Sequence, residues 1–143
     1  MKLAIRYFTK SKKGNTEKLA ETISKALNIQ ALTVDNDLNE KVDRLFLVNA
    51  MYAATVDNEV KDFLVRNKSM ISEVVNLNTS ATGRSTWSSI KKVTDAQGIK
   101  LSEKEFHCVG SWIFLNKGLP SEEDFKRASA FVKELAKDEE TNA

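Results

Sequence analysis

The chain is predicted to be an α/β domain built on a mainly parallel sheet. Short β-prone runs alternate with helical segments along its whole length. One run, Leu45-Phe46-Leu47-Val48, is apolar at four successive positions, as a strand covered on both faces requires. Parallel neighbours need a crossover that a helix supplies, so alternation and a continuously apolar strand point the same way. At 143 residues the chain has the length of one domain and can bury a real core.

The elements follow in order. Leu3 to Phe8 is a first strand ending in polar residues, and Leu19, Ala20, Ile23, Ala26 and Leu27 then mark one face of a helix. Thr16 stands where an N-cap is expected, with Glu17 in the first turn. Gln30 to Val34 is a weaker second strand and Leu45 to Val48 a strong third. Val60, Phe63 and Leu64 line a second helix, capped by Asp57 or Asn58. Val74 to Leu77 is a fourth strand. Ser85 or Thr86 caps a helix bearing Trp87, Ile90 and Val93, which Gly98 stops. Phe106 to Val109 opens a fifth strand that could extend to Phe114. Ser121 and Asp124 form a capping box for a last helix, whose buried stripe is Phe125, Ala128, Val132, Leu135 and Ala136. Residues 1–137 are read as one domain, and 138–143 as a charged tail that frays.

Composition narrows the function. A 41% hydrophobic and 29% charged chain is ordinary globular protein, and no apolar run approaches the roughly 20 residues of a membrane span. Leu3-Ala4-Ile5 is broken at once by Arg6, so no secretory signal is expected. A single cysteine, Cys108, cannot form an internal disulfide, which fits the cytoplasm. Lys and Arg outnumber Asp and Glu by only 22 to 20 without a long basic run, so nucleic-acid binding is not expected.

In open α/β sheets ligands bind beyond the carboxyl ends of the strands, where the winding reverses. The loop after the first strand reads Thr9-Lys10-Ser11-Lys12-Lys13-Gly14-Asn15-Thr16. Hydroxyls, free backbone N–H groups and a helix N-terminus suit a phosphate dianion. Gly14 allows close backbone approach, and Lys12 or Lys13 adds charge. A nucleoside-triphosphatase loop needs Gly-Lys-Ser/Thr, but Asn15 follows Gly14. A dinucleotide fingerprint needs three spaced glycines, and one is present. A phospho-receiver site would place acidic residues here for Mg²⁺, where this chain has basic and hydroxylic ones.

The loop resembles that of the flavodoxins, Ser/Thr-x-Thr-Gly-Asn-Thr, at Ser11, Gly14, Asn15 and Thr16, and departs from it at Lys13. Leu45 to Tyr52 is similar to the third flavodoxin strand and its flavin loop. Thr79-Ser80-Ala81-Thr82-Gly83 is similar to the loop after the fourth strand. Phe106 to Gly110 with Lys117 to Asp124 resembles the end of a flavodoxin-like subfamily. The resemblance implies a short-chain, three-layer flavodoxin-like sandwich with a five-stranded parallel sheet of order 2-1-3-4-5. The cofactor it implies is FMN. Its phosphate would lie on Thr9, Ser11, Lys12, Lys13, Gly14, Asn15 and Thr16. Its ring would lie against Met51, Tyr52 and Ala53 on one side, with Tyr52 stacking, and on Ser80, Ala81, Thr82 and Gly83 at the pyrimidine end. Val48 and Asn49 stand where relatives often carry glycine against the flavin, a departure that leaves the tilt of the ring and the strength of its binding open.

Outside these loops the residues read as structural. Trp87 packs a helix on the sheet, Trp112 belongs to a strand, His107 has no partners for a catalytic triad, and Cys108 is an inert buried thiol. No catalytic apparatus is visible, so the cofactor would supply the chemistry. The expected role is a non-enzymatic electron carrier. Two alternatives are a flavodoxin-fold interaction protein that has lost flavin binding and a small FMN-dependent reductase. Many flavodoxins are strongly acidic and meet basic reductases. At net charge +2 and a pI near 8.6, this chain is expected to meet redox partners with acidic or neutral surfaces.

Overall fold

The computed structural model describes residues 1–10, 14–52, 55–111 and 116–142, the side chains of 138–142 excepted. Strand β1 spans Leu3–Tyr7, helix α1 Asn15–Leu27, β2 Ala31–Thr33 and β3 Arg44–Ala50. Helix α2 follows at Asn58–Arg66, β4 at Glu73–Ser80 and α3 at Trp87–Gln97. Strands β5 (Lys100–Leu101) and β6 (Phe106–Val109) precede α4, which spans Glu122–Asn142.

Every strand pairing is parallel, and the sheet order is β2-β1-β3-β4, with β5 and β6 both on the outer edge of β4. This is the expected 2-1-3-4-5 order with its fifth position split. Glu73 and Val74 of β4 pair with β5, and Leu77 to Ser80 pair with β6. The interruption has a local cause. Ser102 Oγ accepts from the Lys104 N–H, a hydroxyl-closed turn, while the Trp87 indole N–H donates to the Ser102 carbonyl. A backbone closed on its own side chain and on an indole leaves the β4 ladder between the two short strands.

The order of the strands places β3 centrally, and six of its seven residues are buried. Alternate residues feed two cores. Ile5, Phe46, Val48, Val75 and Leu77 meet Leu19 and Ile23 of α1 and Ala128 and Val132 of α4. Leu45, Leu47 and Val74 meet Val60, Phe63 and Leu64 of α2 and Ile90 of α3. The molecule is therefore three layers thick, and each predicted helical stripe faces the sheet.

Helix ends follow their chemistry. Asp57 caps α2, its carboxylate accepting from the Glu59 N–H at 2.9 Å, and Gly98 ends α3 in the left-handed region at φ 71°. The predicted capping box forms: the Ser121 N–H reaches Asp124 Oδ2 at 2.8 Å, and the Asp124 N–H reaches Ser121 Oγ at 3.3 Å. No break marks residue 138, because α4 continues to Asn142. Trp112 to Phe114, the expected extension of the fifth strand, lie outside the described residues.

Candidate functional site

The winding reverses between β1 and β3, since β2 lies on one side of β1 and β3 on the other. At the carboxyl ends of these strands and of β4 a cleft of about 660 Å³ opens. Four loops converge on it, and each brings a different chemistry.

The first is the loop after β1. Thr9, Gly14, Asn15 and Thr16 line the cleft, and so does Lys18. The predicted cap is corrected here. Gly14, at φ −84° and ψ −170°, is the N-cap, and Thr16 is the second residue of α1. An extended Gly14 starts the helix two residues early, and the first intrahelical bond runs from the Lys18 N–H to the Gly14 carbonyl at 3.1 Å. The N–H groups of Asn15 and Thr16 precede that bond and have no acceptor within the helix. The Thr16 hydroxyl, released from capping, is buried 3.1 Å from the Thr79 hydroxyl on β4.

The second loop follows β3 and contributes Ala50, Met51 and Tyr52. Met51 stays tied to β4 through its N–H to the Thr79 carbonyl at 3.2 Å. Tyr52 and Thr55 exchange two backbone bonds, of 2.7 and 3.0 Å. The Tyr52 hydroxyl accepts from the Lys10 N–H at 3.0 Å, and the Lys10 ammonium stands 4.7 Å from the ring centroid and 3.3 Å from Asp57 Oδ2. Tyr52 is thus a strut between two loops as well as an aromatic wall.

Thr79, Ser80 and Ala81 enter from β4. Thr82 and Gly83, predicted as site residues, do not line the cleft. The chain turns there, with the Gly83 N–H directed back to the Ser80 carbonyl at 3.4 Å and Gly83 at φ 78° against Val109. Gly110 and Ser111 complete the rim from the end of β6, and Asn15 reaches across to them, its amide donating to the Ser111 carbonyl at 3.0 Å. Gly110 leaves room for this crossing, since a Cβ there would stand 2.8 Å from Asn15 Nδ2 and the amide would have to shift. Lys18 and Ser111 are additions to the residues read from the sequence, and Ala50, Thr79 and Gly110 lie in segments that carry the resemblance but are not among its ligand residues. Gly110-Ser111 directly after a strand was the one available signal. Of the predicted residues, Ser11, Lys12, Lys13 and Ala53 lie outside the described residues.

Val48 and Asn49 both lie away from the cleft. Val48 is fully buried in the core under α1 and α4, and Asn49 is fully buried among polar side chains on the other face. Neither lines the cleft, so their bulk is spent inside the sheet layers.

Among the described residues that line the cleft there is no carboxylate, histidine or cysteine. His107 is on the surface, with Nδ1 2.9 Å from Glu105 Oε1. Burial pushes the Cys108 thiol up to about 11, with Asp124 adding to the rise, so it is protonated and unreactive at neutral pH.

No family model matches the chain, and no curated protein matches it in sequence. Solved structures do. A flavodoxin from the domain Archaea superposes with a TM-score of 0.71 at 13% identity, covering 96% of this chain and 98% of its own. Flavodoxin 2 from Bacillus cereus gives 0.68 at 17% identity, with 96% and 99% covered. The chain has the flavodoxin-like fold. That agreement extends over the whole domain, and it matches the resemblance read from the sequence at the level of fold. A flavoprotein from Lactobacillus acidophilus, solved in complex with FMN, shares the flavodoxin-like architecture over 74% of this chain and 91% of its own, at 16% identity and a TM-score of 0.55.

Proposed function

We propose that the chain binds FMN in the cleft at the β1/β3 switch point and carries electrons between redox partners. The observation that carries this reading is the convergence of four loops on one cleft of about 660 Å³. Small-molecule sites run to roughly 300–1,000 Å³, so the size suits a flavin nucleotide. The two ends of the cleft differ as the two ends of FMN do. Gly14, Asn15 and Thr16 offer backbone N–H groups, a hydroxyl and the positive end of α1 to a phosphate, with Lys18 adding charge. Met51 and Tyr52 offer an apolar and aromatic wall to a planar ring. Ser80 and Ala81 bring backbone to the ring's polar edge. Ser11, Lys12 and Lys13, by their place in the motif, extend the phosphate end, and Ala53 extends the ring wall.

Bound FMN would supply one- and two-electron chemistry. The residues of this chain would hold the phosphate, orient the ring and shield one side of it from water. Basic residues beside the cleft, Lys18 among them, favour redox partners with acidic or neutral docking surfaces.

The experiment is a titration of the purified protein with FMN and with riboflavin, followed by quenching of flavin fluorescence. Charge-assisted hydrogen bonds contribute about 1.5–3 kcal/mol each, so a held phosphate makes FMN bind at least about a hundredfold tighter. Equal affinity for the two flavins, or binding of neither, overturns the reading.

A further inference from the structure

Strands β3 and β4 carry buried amide side chains towards the end at which the cleft opens. Asn49, Asn76 and Asn78, with Thr86 at the cap of α3, are all fully buried. They satisfy one another. The Asn49 amide donates to Asn76 Oδ1 at 2.8 Å, the Asn76 amide to the Thr86 hydroxyl at 2.9 Å, and that hydroxyl donates to Asn49 Oδ1 at 2.7 Å. No buried side-chain polar atom among the described residues lacks a partner.

Such a network is a poor device for stability alone, because apolar side chains of the same shape can replace mutually bonded polar ones at little cost. What it provides is a unique geometry. The geometry here is that of a backbone segment. The Asn78 amide donates to the Arg84 carbonyl at 3.1 Å, the Ser80 hydroxyl donates to the same carbonyl at 2.9 Å, and Asn78 Oδ1 accepts the Thr86 N–H at 3.0 Å. Between these anchors runs the turn Ala81-Thr82-Gly83. Its own closing bond, from the Gly83 N–H to the Ser80 carbonyl, is long at 3.4 Å. The buried side chains beneath the turn therefore set its shape more than the turn does itself.

We infer that Asn78 is a positioning residue: anchored by the Asn49–Asn76–Thr86 triad, it holds the turn after β4 in the form that receives the ring end of the ligand. The inference rests on the FMN reading for the identity of that ligand. Asn78 does not line the cleft and acts only through the backbone it grips.

The test compares Asn78→Leu, which keeps the branching at Cγ and removes both bonds, with Ser80→Ala, which removes one of two donors to Arg84. The second variant carries the test if the first fails to fold. Two readouts are taken on each: hydrogen exchange at the Gly83 amide in the flavin-free protein, and affinities for FMN and riboflavin. Asn78→Leu is expected to exchange at Gly83 at least about tenfold faster and to bind both flavins about tenfold more weakly, leaving their ratio unchanged. Ser80→Ala is expected to do the same by roughly threefold. Thr16→Ala, at the phosphate end, should change the ratio instead. Unchanged exchange at Gly83, or a loss confined to FMN, overturns the inference. If neither flavin binds the wild-type protein, the FMN reading fails, and the exchange measurement alone decides whether Asn78 holds the turn.

Discussion

Thr16 and Thr79 share one hydrogen between hydroxyl oxygens 3.1 Å apart, on buried side chains at the wall of the cleft. One hydroxyl donates and the other accepts, so one hydrogen remains to offer to a bound anion. Removing the Thr16 hydroxyl then has two separable consequences. Thr16→Ala leaves Thr79 without its partner, a cost of about 1–3 kcal/mol in chemical denaturation. It also removes a charge-assisted contact, so FMN should bind roughly tenfold more weakly while riboflavin is nearly unaffected. Thr16→Ser keeps the hydroxyl and should keep FMN within about threefold. A serine variant as impaired as the alanine one would assign the role to the methyl group. At this scale the sequence was informative about type and weak about partner. A threonine at a helix start reads as a cap, and only the position of Gly14 in extended backbone turns its hydroxyl towards β4. Val48 and Asn49 show the same limit. Strand alternation sends one to each core, which no motif comparison reveals.

Helix α4 was legible as an element because its start signal is local. The Asp124 carboxyl is held below the usual carboxylate range, first by the Ser121 N–H and further by Arg127 and the Ser121 hydroxyl, against an opposing push from burial. A depressed folded-state value contributes stability that is present above the unfolded value, near 3.9, and lost as pH falls through the folded one. Asp124→Asn should therefore flatten the acid limb of the stability curve below about pH 4 and cost roughly 1 kcal/mol at neutral pH, as a lost cap does. Thermal melts between neutral and acid pH check this, and an acid limb identical to wild type would remove Asp124 from the account. The fifth strand was less legible. Phe106 to Val109 carries the apolar signal, but β5 is two residues long, and its pairing depends on β4 lying beside it. The break between the two falls at Ser102, whose carbonyl accepts from the Trp87 indole of α3.

The whole molecule carries a net charge of +2. Among the described residues, Lys10 and Lys18 stand at or beside the cleft, with Lys10 held against Asp57. Steering of an approaching protein follows the sign of the field around its docking face. Electron transfer with an acidic partner should therefore be fast at low ionic strength and fall several-fold as salt screens the attraction. A strongly basic reductase should react slowly, with a rate that salt leaves level or raises. Stopped-flow rates against salt for one partner of each kind check this, and a rate with the basic partner that collapses on adding salt would reverse the assignment.

The sequence by itself determined the layering of this protein. Alternation of strand and helix, the four apolar residues of the third strand, the helical stripes and the caps of α2 and α4 are set by neighbours a few residues apart. The loop from Gly14 to Thr16 was legible for the same reason, since glycine, hydroxyls and a helix start act within one turn. Tertiary structure alone decided which residues share the cleft. Lys18, Thr79, Gly110 and Ser111 meet there because parallel strands bring their carboxyl ends to one edge, across separations of up to 96 residues in the Asn15–Ser111 bond. It also decided that the asparagines of β3 and β4 bond one another. A buried amide has no preference of its own for a partner; it takes the one that packing delivers, because leaving it unpaired costs more than any local choice can recover.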